Sequence, residues 1–320
     1  MPDALEAHYK MVAKAISDGR VVPFLGAGVN LCDRPRDVTW SHTQQEHLPS
    51  GSELARYLAD EFYYPEEEER HDLVRVSQYI ALKTGSGPLY TELHDLFDGD
   101  YPPTSLHRFL ARLPGLLRKK GYGPNYQLIV TTNYDDLMER ALQDAGEPFD
   151  TVSYVADGPQ RGKFLHRSPD DEVYLIERPN EYRGLAIDQR PVILKIHGAV
   201  DRIAAERDSF VITEDHYIDY LTRTDISNLV PVTLVAKLKR SHFLFLGYSL
   251  RDWNLRVILH RIWGEQKLSW KSWAIQLRPD PIDEEFWNKR GVDILDVPLN
   301  AYVTELTQRV EALADVGGEP

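Results

Sequence analysis

Short apolar runs, each ending in a polar or glycine-rich step, set the pattern of this chain. Val21–Leu25, Gln127–Val130, Val192–Lys195 and His242–Leu246 are almost continuously apolar. Runs of that length without alternation predict strands buried on both faces, as in parallel sheets. Elsewhere the spacing turns helical. Leu5, Tyr9, Val12 and Ile16 repeat at helical intervals up to Gly19, and Asp136–Ala145 carries Leu137, Met138, Ala141 and Leu142 on one face before Gly146. A helix over Arg251–Trp263 would turn Leu255, Ile258, Leu259 and Ile262 inward. From about residue 30 to 125 the pattern is mostly helical, with loops at Leu48–Gly51, Thr84–Pro88 and Tyr101–Pro103. This stretch predicts a helical insertion between strands, and its Glu66–Glu69 run a solvated face. Thr151–Arg190 is rich in Gly, Pro and charge, and reads as a long excursion with one hairpin around Val173–Ile176. Excursions of that length often serve as lids. Thr213 suits a helix N-cap, with Glu214 and Asp215 in the first turn. The C-terminal part predicts strand Ser272–Leu277, helix Pro281–Arg290, strand Val292–Leu295 and helix Tyr302–Ala314. The alternation predicts an α/β fold, a doubly wound Rossmann-like parallel sheet, with residues 1–315 as a single domain and a disordered tail at 316–320.

The steps that follow the four apolar runs carry the candidate chemistry. They are Gly26-Ala27-Gly28, Thr131-Thr132-Asn133-Tyr134-Asp135, Ile196-His197-Gly198 and Gly247-Tyr248-Ser249. Open α/β sheets bind ligands at the carboxyl ends of their strands, so four such ends in order predict one nucleotide pocket. The first step is either a phosphate cradle built from backbone N–H groups or a plain tight turn. It departs from the dinucleotide fingerprint, because Leu31 stands where a third glycine belongs. Asn133 and Asp135 either face a ligand or cap the following helix. His197 is either a general base or a histidine satisfied by a backbone carbonyl. Ser249 and Asp252 either reach a ribose or cap a helix.

Charge and cysteine content narrow the class. With 37 Lys plus Arg against 50 Asp plus Glu, the net charge is −13, which argues against broad phosphate-backbone binding. Cys32 is the only cysteine, so neither an intrachain disulfide nor a multi-cysteine zinc site can form. No secretion signal or bilayer-length apolar run stands in the sequence, and a cytoplasmic location is expected. The segment His42–His47 is one residue longer than the zinc-protease pattern, and no P-loop or serine-hydrolase motif is present. The six tryptophans, four of them at Trp263, Trp270, Trp273 and Trp287, suit core or interface packing better than base stacking.

Together the four steps resemble the sirtuin superfamily, in particular its bacterial NAD-hydrolysing, sirtuin-like branch of antiphage defence. The resemblance spans roughly residues 15–300. It implies catalytic Asn133 and His197, and NAD contacts from Gly26, Ala27, Gly28, Asp135, Gly247 and Ser249, with Asn30, Thr132 and Asp252 beside them. The chain also departs from the family. Asn30 stands where a serine is common, and Ala199–Ser241 lacks the four cysteines of the deacylase zinc module. The resemblance therefore implies NAD as substrate, no zinc, and cleavage to nicotinamide and ADP-ribose. Deacylation, ADP-ribosyl transfer and non-catalytic NAD or ADP-ribose sensing remain the alternatives. It further implies a homo-oligomer working with a separate sensor, such as an ATPase or argonaute-like protein, and no direct contact with nucleic acid. No sensor domain is recognisable within the chain itself.

Overall fold

The computed structural model describes residues 2–44, 46–123, 126–222, 230–248, 259 and 270–316. Among them the apolar runs form strands β1 (Val21–Leu25), β2 (Leu128–Thr131), β6 (Val192–Lys195) and β9 (His242–Leu246). They join β3 (Asp150–Tyr154), β4 (Phe164–Arg167), β5 (Val173–Ile176), β10 (Ser272–Ile275) and β11 (Val292–Leu295) in one sheet, ordered β11-β10-β9-β1-β2-β6-β3-β4-β5. Pairings from β11 to β3 are parallel, and β3-β4-β5 closes the sheet as an antiparallel meander. A separate short pair joins β7 (Gly198–Ala199) to β8 (Ser209–Phe210). The expected doubly wound α/β fold is therefore observed.

Alternate residues of each central strand enter different cores. Val22, Phe24, Val130, Leu194 and Phe245 face one side, with Leu234 and Leu238 of one helix and Trp287 of another. Val21, Leu25, Ile129, Ile193 and Leu246 face the other, with Val12, Leu110, Leu142 and Leu306. The covering helices are α1 (Pro2–Ser17), α5 (Ser105–Lys119), α6 (Leu137–Asp144), α7 (Glu214–Thr222), α8 (Val232–Lys239), α9 (Pro281–Asn288) and α10 (Leu299–Glu311). Burial on both faces explains why these strands tolerate no polar alternation.

Helices α2 (Gly51–Glu61), α3 (Leu73–Thr84) and α4 (Ser86–Phe97) lie between β1 and β2 in the chain and share a third core. Ser50 caps α2 in a capping box with Glu53, whose carboxylate also holds Arg34. The third core includes Tyr134 and Leu137, so this helical layer packs directly on the turn after β2.

Two expectations need correction. Thr84–Pro88 is not a loop: α4 begins at Ser86, and Gly85 alone, at φ +82°, links it to α3. Pro88 sits in the first turn, where no intrahelical N–H is required. Residues 151–190 hold more than one hairpin, because β3, β4 and β5 all extend the main sheet. The cause of the misreading is polar burial. Asp150 is fully buried and meets His166 Nε2 at 2.8 Å and Arg190 Nε at 2.7 Å, while His166 Nδ1 lies 2.6 Å from the Tyr182 hydroxyl. The helix expected over Arg251–Trp263 lies outside the described residues except for Leu259, which is helical and buried.

Candidate functional site

The four strands of interest are neighbours and end on one rung. Leu246 pairs with Leu25, Leu25 with Thr131, and Thr131 with Lys195. Gly247, Gly26, Thr132 and Ile196 each begin the next step, at the same level on the carboxyl edge. Between β9 and β2 the connections reverse direction across the sheet, the place where open α/β folds bind ligands.

The two glycine steps interlock. Gly26 N–H donates to the Leu246 carbonyl at 3.0 Å and Gly28 N–H to the Gly247 carbonyl at 2.8 Å. A Cβ on Gly28 would stand 2.7 Å from the Gly247 carbonyl oxygen, and one on Gly247 only 2.3 Å from Val29 N. Gly247 also holds φ +63°, which side chains disfavour. The glycines thus permit close approach of two backbones. The Gly26 and Gly28 N–H groups are engaged by the β9 loop rather than offered to a phosphate. A Cβ on Gly26 would meet the Tyr248 ring, which packs edge-on against Phe24.

The turn after β2 is tied down residue by residue. The Thr131 hydroxyl donates to the Leu25 carbonyl and accepts the Asn133 N–H at 3.0 Å. Asn133 Nδ2 lies 3.4 Å from the Gly26 carbonyl. Asp135 accepts Asn30 Nδ2 at 2.8 Å on one oxygen and the Leu137 N–H at 3.1 Å on the other. Asp135 therefore holds the first N–H of α6 from the position before its N-cap, Asp136, and it binds Asn30 as well. The side-chain amide oxygen Oδ1 of Asn30 is buried without a partner among the described residues. Tyr134 points away, its hydroxyl donating to the Val211 carbonyl at 2.8 Å. Next along, burial pushes the Asp136 carboxyl up to about 6, with Glu139 adding to the rise and Arg202 opposing it.

His197 stands two residues past the common rung on β6, as Asn133 does on β2. It is 3% exposed, and its Nε2 has no hydrogen-bond partner among the described residues. Burial drives its pKa from the ordinary 6.5 to about 3, so the imidazole is neutral at physiological pH. The rings of Tyr217 and Tyr220 meet it edge-on at 5.5 and 5.9 Å. Thr213 presents both, since its hydroxyl accepts the His216 N–H at 3.2 Å and starts α7 as expected. Gly198, at φ +85°, admits the β7–β8 pairing; a Cβ there would lie 2.1 Å from the Ser209 carbonyl.

The structure thus brings Gly26, Gly28, Asn30, Asn133, Asp135, His197 and Gly247 to one edge of the sheet. Ala27 belongs to the 3₁₀ turn Ala27–Leu31, and Thr132 N–H donates to the Leu25 carbonyl. Ser249 and Asp252 lie outside the described residues. Among the described residues no group of three or more His, Cys, Asp or Glu is arranged to hold a metal. A cavity of ≈ 520 Å³ lies beside this edge, lined among others by Asp136, Glu139, Thr151, Arg167 and Arg202 but by none of the glycines, Asn133 or His197. Sequence reasoning passed over Lys195, whose buried ammonium bonds the Asp135 carbonyl and lies 2.8 Å from Glu139. A lysine inside the run Val-Ile-Leu-Lys-Ile was a readable signal, because a buried cation needs a partner.

Comparison with known proteins decides the family. The model of the SIR2-like domain matches residues 127–295, a stretch that holds three of the four steps. The chain belongs to the SIR2-like domain family. This SIR2-like chain is 24% identical over 96% of its length to Defense-associated sirtuin 2 of Bacillus subtilis, covering 26% of that protein. It is 26% identical to NAD(+) hydrolase ThsA of Cytobacillus dafuensis over 80% of the chain, and 29% identical to that of Enterococcus faecium over 79%. It covers 41% and 42% of those two proteins, so it spans less than half of these curated relatives. No helix among the described residues is long and apolar enough to cross a membrane.

Proposed function

We propose that this chain hydrolyses NAD at the nicotinamide–ribose bond, releasing nicotinamide and ADP-ribose. The observation that carries the reading is the shared rung, which sets Asn133 and His197 at matching positions just past adjacent parallel strands, with a buried Nε2 on the histidine that has no partner among the described residues. Such an orphaned nitrogen in an apolar setting calls for a hydrogen-bond partner from a ligand. In this mechanism the amide of Asn133 positions a water or ribose hydroxyl beside the anomeric carbon. His197, neutral and with a free lone pair in the Nδ1-protonated tautomer, takes the proton from that nucleophile. The bond to nicotinamide breaks with its electron pair leaving on the ring nitrogen, and positive charge develops on the ribose. Asp135 lies near the nicotinamide end, and Gly26–Gly28 with Gly247 near the phosphates. Seating the phosphates on Gly26 and Gly28 requires the β9 loop to give up its hydrogen bonds to them.

The names of the relatives, a defence-associated sirtuin and NAD(+) hydrolases, support the same chemistry and an NAD-depleting role in antiphage defence. We further propose that this cytoplasmic effector works as a homo-oligomer held in check until a separate sensor protein engages it, since unregulated cleavage would drain a cofactor its host needs. The test is to incubate the purified chain with NAD and follow nicotinamide and ADP-ribose by chromatography. Binding of NAD without nicotinamide release, from the chain alone and with co-expressed neighbours, would leave a sensor. A requirement for an acylated peptide would make it a deacylase.

A further inference from the structure

We infer that Lys195 is a positioning residue, whose ammonium clamps the Asn133–Asp135 turn from the strand that carries His197. Lys195 is 1% exposed, at the last position of β6 and two residues before His197. Its Nζ donates to the backbone carbonyl of Asp135 and to Glu139 Oε1 at 2.8 Å, so one buried cation holds both the turn and the first part of α6.

Stability is a poor account of this arrangement. Replacing a buried ion pair by apolar groups of similar volume is often neutral or stabilising, so an aliphatic side chain would serve the core as well. What a methyl cannot supply is a donor to the Asp135 carbonyl. Three side chains from different elements are among the groups that hold the turn. The Thr131 hydroxyl takes the Asn133 N–H, Asn30 takes the Asp135 carboxylate, and Lys195 takes the Asp135 carbonyl. The backbone also ties the turn to the His197 segment, since the Val200 N–H donates to the Tyr134 carbonyl at 3.0 Å; of the side chains on β6, Lys195 is the one that bonds the turn. Its kinetic consequence rests on the NAD-cleaving reading above.

The experiment compares Lys195→Met, Glu139→Gln and the double variant with the wild-type chain. The single Lys195→Met change strands the Glu139 carboxylate, and the double variant removes that penalty. Melting temperature should fall in Lys195→Met and recover in the double variant. The kcat for nicotinamide release should stay low in both, by roughly 10²-fold, the scale of an ångström misplacement in an active site. KM should change little. Glu139→Gln keeps the Lys195 donor on the Asp135 carbonyl and should retain most of its turnover. Hydrogen–deuterium exchange should quicken in a peptide covering residues 132–139 of the double variant, while the β1 peptide stays protected. Recovery of kcat together with stability in the double variant would make Lys195 merely structural and overturn the inference. So would a Glu139→Gln loss equal to that of Lys195→Met, or unchanged exchange over residues 132–139. A wild-type chain that releases no nicotinamide, alone or with co-expressed neighbours, sinks the hydrolase reading instead, and the exchange measurement alone then decides whether the clamp exists.

Discussion

Acidification should destabilise this chain through His197. Its pKa falls from 6.5 to about 3 because burial penalises the imidazolium. In the unfolded chain the ring takes up a proton as pH drops through 6.5; in the folded chain it does not until near 3. Stability from this group is therefore fully present above pH 6.5 and is lost as pH falls from there towards 3. At 1.36 kcal/mol per unit, the change between pH 7 and pH 5 amounts to about 2 kcal/mol. His107, fully buried and held at about 4 chiefly by burial, adds a similar term over the same window. The two can be separated with His197→Gln, which removes one titrating group and leaves the other. Urea unfolding at pH 7, 6 and 5 should show the variant losing about 2 kcal/mol less than wild type across that span, with little change in m-value. Equal losses in both proteins would mean that His197 titrates normally. That result would refute the burial penalty alone, since an imidazole of ordinary pKa is still mostly neutral at pH 7 and able to act as a base.

Other perturbations test other parts of the site. His197→Ala and Asn133→Ala should each cut nicotinamide release by roughly 10²–10⁴-fold while keeping ADP-ribose affinity, measured by calorimetry; wild-type turnover in both would remove them from the mechanism. Gly247→Ala forces a Cβ against Val29 N from a left-handed backbone, and should cost at least about 1–3 kcal/mol in urea unfolding. Elemental analysis should find well below one zinc per chain, with activity indifferent to chelators; stoichiometric zinc would reopen the segment around His42. Gel filtration and NAD assays with and without co-expressed neighbours should show an oligomer whose turnover rises with its partner, and a monomer already at full speed would refute the regulatory proposal.

Much of the sheet was readable because its central strands are apolar on both faces, and Val21–Leu25, Val192–Lys195 and His242–Leu246 coincide with observed strands. Their common rung was not readable, since register between Leu25 and Leu246 depends on contacts far apart in sequence. Strands β3 and β4 were hidden by their own chemistry. Asp150 and His166 look like surface residues until each is seen to satisfy the other in the interior. The first glycine step was readable as a phosphate cradle or a tight turn, and its contact with the Gly247 backbone leaves the same mark in sequence. Asp135 holds the first N–H of α6 and also partners Asn30, a pairing across more than a hundred residues that no local pattern encodes.

The interlocked glycine loops also set a schedule. Strand β1 is synthesised well before β9, yet it is zipped along its whole length to it, and Gly28 is bonded to Gly247. At about 5–20 residues per second, translation takes roughly 10–45 s to travel from one to the other. Until then the first glycine step has no opposite wall and β1 one open edge. A nascent or truncated chain therefore stays without this edge of the sheet, however well its helices have folded, and the host meets the assembled fold only once β9 has been made.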